Sequence, residues 1–387
     1  MAASPYRLRP SAAHRWVHCP GSVALEAVSP QEETDEQREG TAAHWVATEL
    51  FAGNVYGEGS TAPNGVVVTD EMVEGAELFV GAVLTRIPLE GVLIEHEVDC
   101  KRIHPENGGT LDAGGISYDA TVLHVVDYKF GHGYVEPFEN WQCVDYLVGL
   151  YDQLEAAGVL DVMAEQRMDI EVTIVQPRNY HRDGPVRSWR VPMTYLRGMV
   201  NQLKHAAWQA LQPNWKAAVK SGAWCKGCEA ILRCEAATNA CYQIVDATAQ
   251  STPFDLTPQQ MGGELKRLQA ARVILDARVE AIEVEALRMI VRGQGVPHFA
   301  AESEPGRLSW LPDVPPEEVI ALGDLLDADF RKPAAPITPT QAAKALKAKG
   351  IDESVISAYA ERPKGKIKLV PFNSTQTRKI FGGNANG

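Results

Sequence analysis

Two acidic residues and a lysine near the centre of the chain are spaced like the residues of a metal-dependent hydrolytic site. Asp112 ends the sequence Gly109-Thr110-Leu111-Asp112, and Asp127 is followed two positions later by Lys129. Magnesium takes oxygen ligands from one or two carboxylates and from its substrate, and a nearby lysine can orient or deprotonate the attacking water. These residue types therefore indicate hydrolysis of a phosphodiester at a magnesium site.

A strand and a hairpin have to bring these side chains together. Side chains alternate between the two faces of a strand, so Asp127 and Lys129 are predicted to share one face. If the preceding segment folds back in a hairpin that turns near Asp119 and Ala120, the register places Asp112 opposite Asp127. The two carboxylates could then share a metal. An isolated Asp-x-Lys is more often a surface salt bridge, so the interpretation depends on the surrounding residues.

Two predicted helices flank the hairpin and carry polar residues four positions apart. Gly40 and His44 lie at the start of one helix, and Gln142 and Tyr146 lie in the other. Residues four apart share a helical face, so each pair points in one direction. A single histidine at a helix start is more often structural than a ligand. All four pieces nevertheless occur in order along one chain, which favours a shared function.

The order of these motifs resembles the RecB-like branch of the PD-(D/E)xK nuclease superfamily. The matching positions are G-x-x-x-H at 40–44, G-x-x-D at 109–112, D-x-K at 127–129 and Q-x-x-x-Y at 142–146. The resemblance implies that Mg²⁺ or Mn²⁺ binds to His44, Asp112, Asp127 and the backbone carbonyl of Tyr128. It also implies that Lys129 is the catalytic lysine, and that Gln142 and Tyr146 position DNA or the active-site strand.

The resemblance further implies a fold and an activity. The fold is α/β, a restriction-endonuclease-like core in which helices flank a mixed central sheet. The segment 94–98 resembles the strand that precedes G-x-x-D in this family, and its Glu95 and Glu97 are second-tier candidates, more typical of structural residues. The activity is that of a Mg²⁺- or Mn²⁺-dependent deoxyribonuclease, an exonuclease that resects DNA ends in phage recombination or replication. The alternative is a catalytically silent nuclease fold that binds DNA or acts in assembly.

Five of the seven cysteines have a spacing that suggests a metal site. Cys225 and Cys228 form C-x2-C, Cys234 follows, and the fourth ligand is either Cys241 or the distant Cys19. Two thiolates separated by two residues can bind one soft metal, because the turn between them lets both sulfurs face the same point. With Cys241 the site resembles a structural zinc knot. Cys100 and Cys143 lie in apolar contexts typical of buried free thiols.

With Cys19, the pattern resembles the iron-sulfur subgroup of RecB-like nucleases, which includes AddB-type and CRISPR-adaptation nucleases. In that subgroup one cysteine precedes the nuclease motifs and three follow as C-x2-C-x5-C, and together they hold a [4Fe-4S] cluster. The resemblance implies that such a cluster closes the N-terminal segment onto the end of the nuclease domain. Zinc remains the alternative metal.

Composition limits the remaining possibilities. The chain has 387 residues, of which 45% are apolar, enough for one sizeable core and a second module. No apolar stretch approaches the roughly 20 residues of a membrane span, and no apolar signal core follows the N-terminus. We therefore expect a soluble protein of the bacterial cytoplasm that does not contact the membrane.

The charge is harder to reconcile with DNA binding. The net charge is −13, whereas phosphate contacts normally come from a basic surface. Two segments nevertheless contain only positive charges, residues 197–228 and the tail from Arg362. A charge run is usually a solvated face, so contact between DNA and either segment is a hypothesis.

The motifs divide the chain into two predicted domains. Residues 1–245 form the nuclease domain with its cysteines, and residues 246–387 form a mainly helical module with a basic tail. The module is expected to bind a partner, form homo-oligomers or guide DNA, and the expected partners are DNA and a phage single-strand annealing or replication protein. Predicted elements are helices over 70–86, 140–157, 193–221 and 258–293, a strand near Leu93, a hairpin over 110–130, and strands over 169–176 and 186–191.

Overall fold

A five-stranded mixed sheet is the centre of the computed structural model, which describes residues 6–29, 33–161, 163–247 and 256–300. The chain divides into two units, Met1–Glu302 and Ser303–Gly387, and all described residues belong to the first. The basic tail and most of the predicted C-terminal module lie outside the described residues, so the predicted domain boundary stays a prediction.

The strands follow one another across the sheet in chain order. They are β1 (Leu93–Asp99), β2 (Gly108–Ile116), β3 (Val122–Tyr128), β4 (Asp169–Val175) and β5 (Val186–Pro192). β3 and β4 are parallel, and the other neighbouring pairs are antiparallel. A parallel pair needs a long crossover connection, which here contains a helix. The predicted hairpin is therefore β2–β3, and its turn includes Ala120 at a positive φ of 57°.

The helices cover both faces of this sheet. In chain order they are α1 (Ala13–Trp16), α2 (Ser22–Glu26), α3 (Asp35–Phe51), α4 (Asp70–Leu84), α5 (Trp141–Ala156), α6 (Ala164–Arg167), α7 (Arg197–Ala210), α8 (Glu235–Ala247) and α9 (Pro258–Val291). Short 3-10 turns lie at Pro10–Ala12, Leu89–Gly91, Met193–Leu196, Trp215–Ala218, Ala223–Cys225 and Ile231–Arg233. The predicted α/β class, a mixed sheet flanked by helices, is confirmed.

Two apolar cores lie on opposite sides of the sheet. On one side, α1, α5 and α7 bury Leu123 and Val125 of β3. On the other side, α3 and α4 bury Val126 and Tyr128 of the same strand. The alternation predicted for β3 is thus present, and all seven of its residues are buried, as expected for a central strand.

Local sequence signals fix where the helices that flank the site begin. The Thr34 hydroxyl accepts from Gln37 N and the Gln37 side chain accepts from Thr34 N, a capping box that starts α3. The Asn140 side chain accepts from Cys143 N at the start of α5. These caps set the position from which His44 and Gln142 project.

One predicted helix is shorter than its pattern suggested. The segment predicted as a helix over 193–221 begins with a 3-10 turn, and α7 ends at Ala210. Pro213 explains the difference, because proline cannot donate to a helical hydrogen bond and disfavours a helical conformation in the residue before it. The chain beyond α7 is therefore free to turn back toward the N-terminal segment.

The long helix α9 packs, through a narrow part of its surface, on residues 220–241, the cysteine segment, which carries Cys225, Cys228, Cys234 and Cys241. Ala277 is buried there, and Arg278 Nη1 donates to the carbonyls of Ile231 and Leu232 at 2.6 and 3.2 Å. Several apolar side chains elsewhere on α9 are exposed: Met261, Leu268, Val279, Ile282, Val284, Leu287 and Val291. Among the helices described, none is both long enough and apolar enough to cross a bilayer.

A carboxylic acid is completely buried where α5 packs on the sheet. Asn107 Nδ2 donates to both carboxyl oxygens of Asp145, at 2.8 and 3.0 Å. Asn107 Oδ1 is itself buried and has no hydrogen-bond partner in the described part of the chain. Burial raises the pKa of Asp145 to about 7, although hydrogen bonds from Asn107 and Cys100 oppose the rise. The folded protein therefore favours the neutral acid.

Replacing Asp145 with asparagine is expected to stabilise the protein above neutral pH. The folded pKa of Asp145 exceeds the value of about 3.9 in an unfolded chain, so this residue makes stability fall as pH rises from about 4 to about 7. The amide carries no charge, and removing the cost of a buried carboxylate gives a gain of about 2–4 kcal/mol at about pH 8. Urea unfolding of both proteins at about pH 5 and about pH 8 measures the effect. A difference between the two proteins that does not grow with pH would contradict the assignment.

Candidate active site

Three carboxylates stand in a row across neighbouring strands. β1 and β2 pair Ile94 with Ala113 and His96 with Leu111, which places Glu95 opposite Asp112. The β2–β3 ladder ends at Ala113 and Val126, one step before Asp112 and Asp127. The predicted juxtaposition of Asp112 and Asp127 is therefore present in the register, and Glu95 extends it by one strand.

The regular alternation of side chains is interrupted at this row. Leu111 packs in the core beneath α5, whereas Ala113, two residues later, packs in the core beneath α3 and α4. Glu95 has a positive φ of 44°, which is uncommon for a residue other than glycine. Strained backbone of this kind persists where the surrounding structure holds it, and it is frequent at functional sites. At this interruption of the alternation, Asp112 contacts His44 of α3.

His44 of α3 meets this row from the side. Its Nδ1 lies 3.4 Å from Asp112 Oδ1 and 3.4 Å from Glu95 Oε1, and its Nε2 lies 2.9 Å from the carbonyl oxygen of Tyr128. Asp112 Oδ2 accepts from Tyr128 N at 2.7 Å, so Asp112 and His44 contact the backbone N–H and the backbone carbonyl of Tyr128, which belong to successive peptide groups. Potential ligand atoms of His44, Glu95 and Asp112 all lie within 4.8 Å of one another.

Asp127 and Lys129 form a second, adjoining cluster with Gln142. Lys129 Nζ donates to Asp127 Oδ1 at 3.0 Å and to Gln142 Oε1 at 3.3 Å, while Gln142 Nε2 donates to Asp127 Oδ1 at 2.7 Å. Asp127 Oδ2 is buried and lies 3.0 Å from the same ammonium, but it makes no hydrogen bond among the described residues. Gln142 of α5 therefore fixes the acid and the lysine relative to each other.

The electrostatics of the first cluster favour positive charge on the histidine. Burial alone would lower the pKa of His44, but the Asp112 and Glu95 carboxylates outweigh it and raise that pKa to about 10. Burial opposes ionisation of Asp112 as well, yet His44 and Lys129 lower its pKa below the ordinary value. The cluster thus attracts one positive charge into the space between its acids.

The second cluster keeps the lysine charged. Burial by itself would lower the pKa of Lys129, but Asp127 and Asp112 outweigh it and raise that pKa above its ordinary value. Burial raises the pKa of Asp127 to about 6, a rise that Lys129 opposes and Asp112 reinforces. Lys129 is therefore an ammonium in this structure, suited to holding negative charge or orienting a water rather than to accepting a proton.

The glycine of G-x-x-D and the tyrosine of Q-x-x-x-Y fit together. A Cβ atom at Gly109 would lie 3.0 Å from Tyr146 Oη and 3.2 Å from Pro10 Cδ, closer than side chains normally approach. Tyr146 is 5% exposed, and burial first, then Asp112 and Asp127, raises its pKa above the ordinary value. It therefore remains a neutral phenol beside the acids. Packing does not explain Gly40, since a Cβ atom there would meet nothing within 4 Å.

The other second-tier residue lies elsewhere. Glu97 accepts a hydrogen bond from Tyr6 Oη at 3.1 Å, and the same hydroxyl bonds to Asp99. Glu95, in contrast, belongs to the His44 cluster. The register could have distinguished them, because only Glu95 falls opposite Asp112. The structure thus brings together His44, Glu95 and Asp112, and beside them Asp127, Lys129 and Gln142.

These residues fit a hard divalent cation. Carboxylate and carbonyl oxygens are the ligands that Mg²⁺ and Mn²⁺ prefer, and a histidine nitrogen suits Mn²⁺. Asp127 Oδ2 is a buried acceptor that lies 3.0 Å from the Lys129 ammonium but makes no hydrogen bond within the described residues, and the Tyr128 carbonyl faces His44 Nε2. The acids that raise the pKa of His44 favour a positive charge at this place, and a bound cation would supply that charge instead of the proton.

The cysteine segment is joined to the N-terminal segment. Cys19 Sγ accepts from Lys220 N at 3.3 Å, and Cys225 Sγ accepts from Gly222 N at 3.4 Å. Arg15 of α1 donates to the carbonyls of Trp224 and Gly227 at 3.2 and 2.8 Å. These contacts bring the chain before α3 onto the chain after α7.

Four of these thiols, Cys19, Cys225, Cys234 and Cys241, are buried, and Cys228 is partly buried. Burial first, and then the neighbouring Cys225 and Cys234, raises the pKa of Cys19, and burial together with Glu26 raises that of Cys228 to about 12. Cys241 Sγ lies 3.9 Å from the Ile274 carbonyl of α9. In the described ranges, no three cysteine sulfurs lie within 4.8 Å of one another, whereas sulfurs around one zinc ion are about 3.8 Å apart.

Comparison with known proteins places the chain in a family. A family model described as "Protein of unknown function (DUF2800)" matches residues 6–377, nearly the whole sequence. The chain belongs to the DUF2800 family. Among solved structures, this DUF2800 protein is similar to a crystal structure titled as a "putative exonuclease" from Eubacterium rectale. The TM-score is 0.31 at 9% identity, over 56% of this chain and 83% of that one. The similarity is distant, so the activity has to be argued from the residues of the chain itself.

Proposed function

We propose that this DUF2800 protein is a Mg²⁺- or Mn²⁺-dependent deoxyribonuclease with a PD-(D/E)xK catalytic core. The observation that carries the proposal is that potential ligand atoms of His44, Glu95 and Asp112 lie within 4.8 Å of one another, beside the buried Asp127 and its partly buried partner Lys129. Acids that would hold a hard cation and a charged lysine are what phosphodiester hydrolysis requires. His44, Asp112, Asp127 and the Tyr128 carbonyl would hold the ion, and Glu95 joins them.

The residues of the chain have separable tasks in this reaction. A bound divalent ion would neutralise phosphate charge and activate water. Lys129 orients the water or offsets the negative charge that develops on the phosphate, since its ammonium stays protonated. Gln142 holds Lys129 against Asp127, and Tyr146 supports the strand next to Gly109. His44 and Asp112 hold the backbone carbonyl and the backbone N–H of Tyr128 in place.

The finer parts of the proposal come from the motif resemblance. We infer an exonuclease that resects DNA ends in phage recombination or replication. A single-strand annealing or replication protein would use its product, and the chain would form homo-oligomers. The alternative is a catalytically silent nuclease fold that binds DNA or acts in assembly. The net charge of −13 favours the assembly role, since contacts with phosphate normally come from a basic surface.

Digestion of DNA distinguishes these two functions. End-labelled linear DNA and closed circular DNA are incubated with the protein in Mg²⁺, in Mn²⁺ and in EDTA. An exonuclease releases nucleotides from linear DNA in either metal, spares the circle and is inactive in EDTA. DNA binding that is indifferent to metal, without release of nucleotides, would favour the silent fold.

We further propose that Cys19, Cys225, Cys228 and Cys234 hold a [4Fe-4S] cluster, with zinc and Cys241 as the alternative. The contacts of Arg15 and Cys19 with the cysteine segment support Cys19 as the fourth ligand. Ligation would add folding energy by joining the two ends of the domain.

Anaerobic purification is expected to give a brown protein with broad absorbance at about 400 nm. Cys19→Ser should lose this absorbance together with stoichiometric iron, because it removes a ligand. Cys241→Ser, its matched control, should keep both. A colourless protein with one bound zinc, lost in Cys241→Ser but kept in Cys19→Ser, would contradict the cluster and establish the zinc site.

A further inference from the structure

Three aromatic side chains from distant parts of the sequence meet beside the proposed active site. The His18 ring stacks on Trp224, with centroids 4.9 Å apart and an angle of 20° between the planes. The same ring meets Trp141 edge-on, at 6.1 Å and 85°. His18 is exposed, and both tryptophans are partly exposed. The surface they form, Trp141–His18–Trp224, is therefore accessible to a planar ligand.

This aromatic surface adjoins the catalytic residues. Trp141 is the first residue of α5, and the next residue, Gln142, bonds to both Asp127 and Lys129. His14, one turn before His18, has a pKa lowered by burial and then by the charges of Arg15 and Lys129. The N-terminal segment and the start of α5 thus lie together at one side of Lys129.

Two exposed lysines lie close to Trp224 in the sequence. Within the described ranges neither Lys220 nor Lys226 forms an ion pair. The Lys220 carbonyl accepts from Trp224 Nε1 at 2.8 Å, which places the backbone of this lysine next to the ring. Glu26, a partly buried acid that also contacts this segment at Glu229 N, is already bound by Arg15. Arg197, at the far end of the same basic segment, is paired with Glu165.

We propose that Trp141, His18 and Trp224, with Lys220 and Lys226, bind the unpaired bases and phosphates of a single DNA strand that leads to the active site. This inference rests on the proposed nuclease function and assigns it a substrate form, DNA with an unpaired end. Aromatic faces beside free cations are how proteins hold single strands without reading sequence. A half-exposed stack of three rings is otherwise an apolar surface left in contact with water.

A buried position would suit these rings better if they served packing alone. Trp141 does contact the core beneath α5, and Trp224 packs over Gly222. His18 is exposed, and its ring contacts in the described part of the chain are with the other two members of the surface. It is therefore the position at which a binding role and a packing role can be separated.

Binding of labelled oligothymidylate to the full chain in EDTA, where cleavage cannot occur, tests the proposal by fluorescence anisotropy. His18→Ala should weaken binding about tenfold, the loss of roughly one stacked base. His18→Phe should bind like the unchanged protein, because it restores a ring. Trp208→Ala removes a tryptophan that is 58% exposed on α7 and serves as the matched control, with no expected effect. Lys220→Ala should reduce the dependence of binding on salt.

Three outcomes would overturn the inference: equal binding by His18→Ala, an equal loss in Trp208→Ala, or a loss in His18→Phe as large as in His18→Ala. Failure of the unchanged protein to bind oligothymidylate would overturn it as well. The nuclease proposal is judged separately by digestion in Mg²⁺. If binding depends on the His18 ring but DNA is not cleaved, the proposed binding surface stands and the nuclease proposal is refuted. If DNA is cleaved but binding does not depend on the ring, the nuclease proposal stands and the binding surface is refuted.

Discussion

Replacement of Lys129 by methionine is expected to slow Mg²⁺-dependent cleavage of linear DNA about 10²- to 10⁴-fold, the usual contribution of a well-placed charged group. Methionine is apolar and nearly as long, so the volume is kept while the ammonium is lost. Asp127 would keep only its bond from Gln142 and would become harder to ionise, because Lys129 now lowers its pKa. Single-turnover digestion of end-labelled DNA measures the rate.

The chain supplies a matched control for this variant. Asp99, the last residue of β1, and Lys101, in the turn that follows, form a second Asp-x-Lys with the same spacing and a similar contact between the side chains. Lys101 is 67% exposed and Asp99 is bound by Tyr6, away from His44. Lys101→Met should therefore cleave at the normal rate. Equal slowing in both variants would show that the loss at Lys129 reflects stability and not chemistry, so urea unfolding accompanies both assays.

The second large effect is expected on metal affinity. Asp112→Asn should weaken Mn²⁺ binding by at least about 100-fold, since the loss of groups that merely support ligands already costs 10- to 100-fold. The change keeps the side-chain shape and the possibility of accepting from Tyr128 N. It removes the charge that, with Glu95, outweighs burial at His44. Isothermal titration with Mn²⁺ measures the affinity.

Glu95 and Glu97 separate ligation from general loss of acid on β1. Glu95→Gln should also weaken Mn²⁺ binding, because Glu95 belongs to the cluster of ligand atoms with His44 and Asp112. Glu97→Gln changes an acid two residues away that bonds to Tyr6, and it should bind Mn²⁺ normally. If Glu97→Gln lost as much affinity as Glu95→Gln, the cation would be held by the field of the strand and not at a defined site.

Much of the architecture follows from short-range signals. The apolar run of β3 and the pattern over 140–157 place the central strand and α5 from sequence. The pattern misplaces the start of α3, because Gly40 and His44 are expected at the start of a helix, whereas the Thr34 cap starts α3 at Asp35. The period of two along a strand then gives the shared row of Asp112 and Asp127. These are local properties, and the chain keeps them in its tertiary structure.

Other features depend on contacts that a sequence does not display. The interruption of alternation at Glu95 and Asp112, with a positive φ at Glu95, arises where three strands and α3 meet. Spacing alone also cannot separate Asp127–Lys129 from Asp99–Lys101, since both read Asp-x-Lys. The difference is burial, with Asp127 at 4% side-chain exposure and Asp99 at 37%. Glu95 and Glu97 are also the same residue type, and only the strand register shows that Glu95 lies opposite Asp112.

Release of nucleotides from end-labelled linear DNA, compared in Mg²⁺ and EDTA for the unchanged protein and Asp127→Asn, tests the central claim most directly. A metal-dependent nuclease should release nucleotides from the unchanged protein's reaction in Mg²⁺ but not in EDTA. No release above background is expected from the variant, in which the buried acid beside Lys129 has lost its charge. Absence of release by the unchanged protein in both Mg²⁺ and Mn²⁺, or equal release by Asp127→Asn, would contradict the claim.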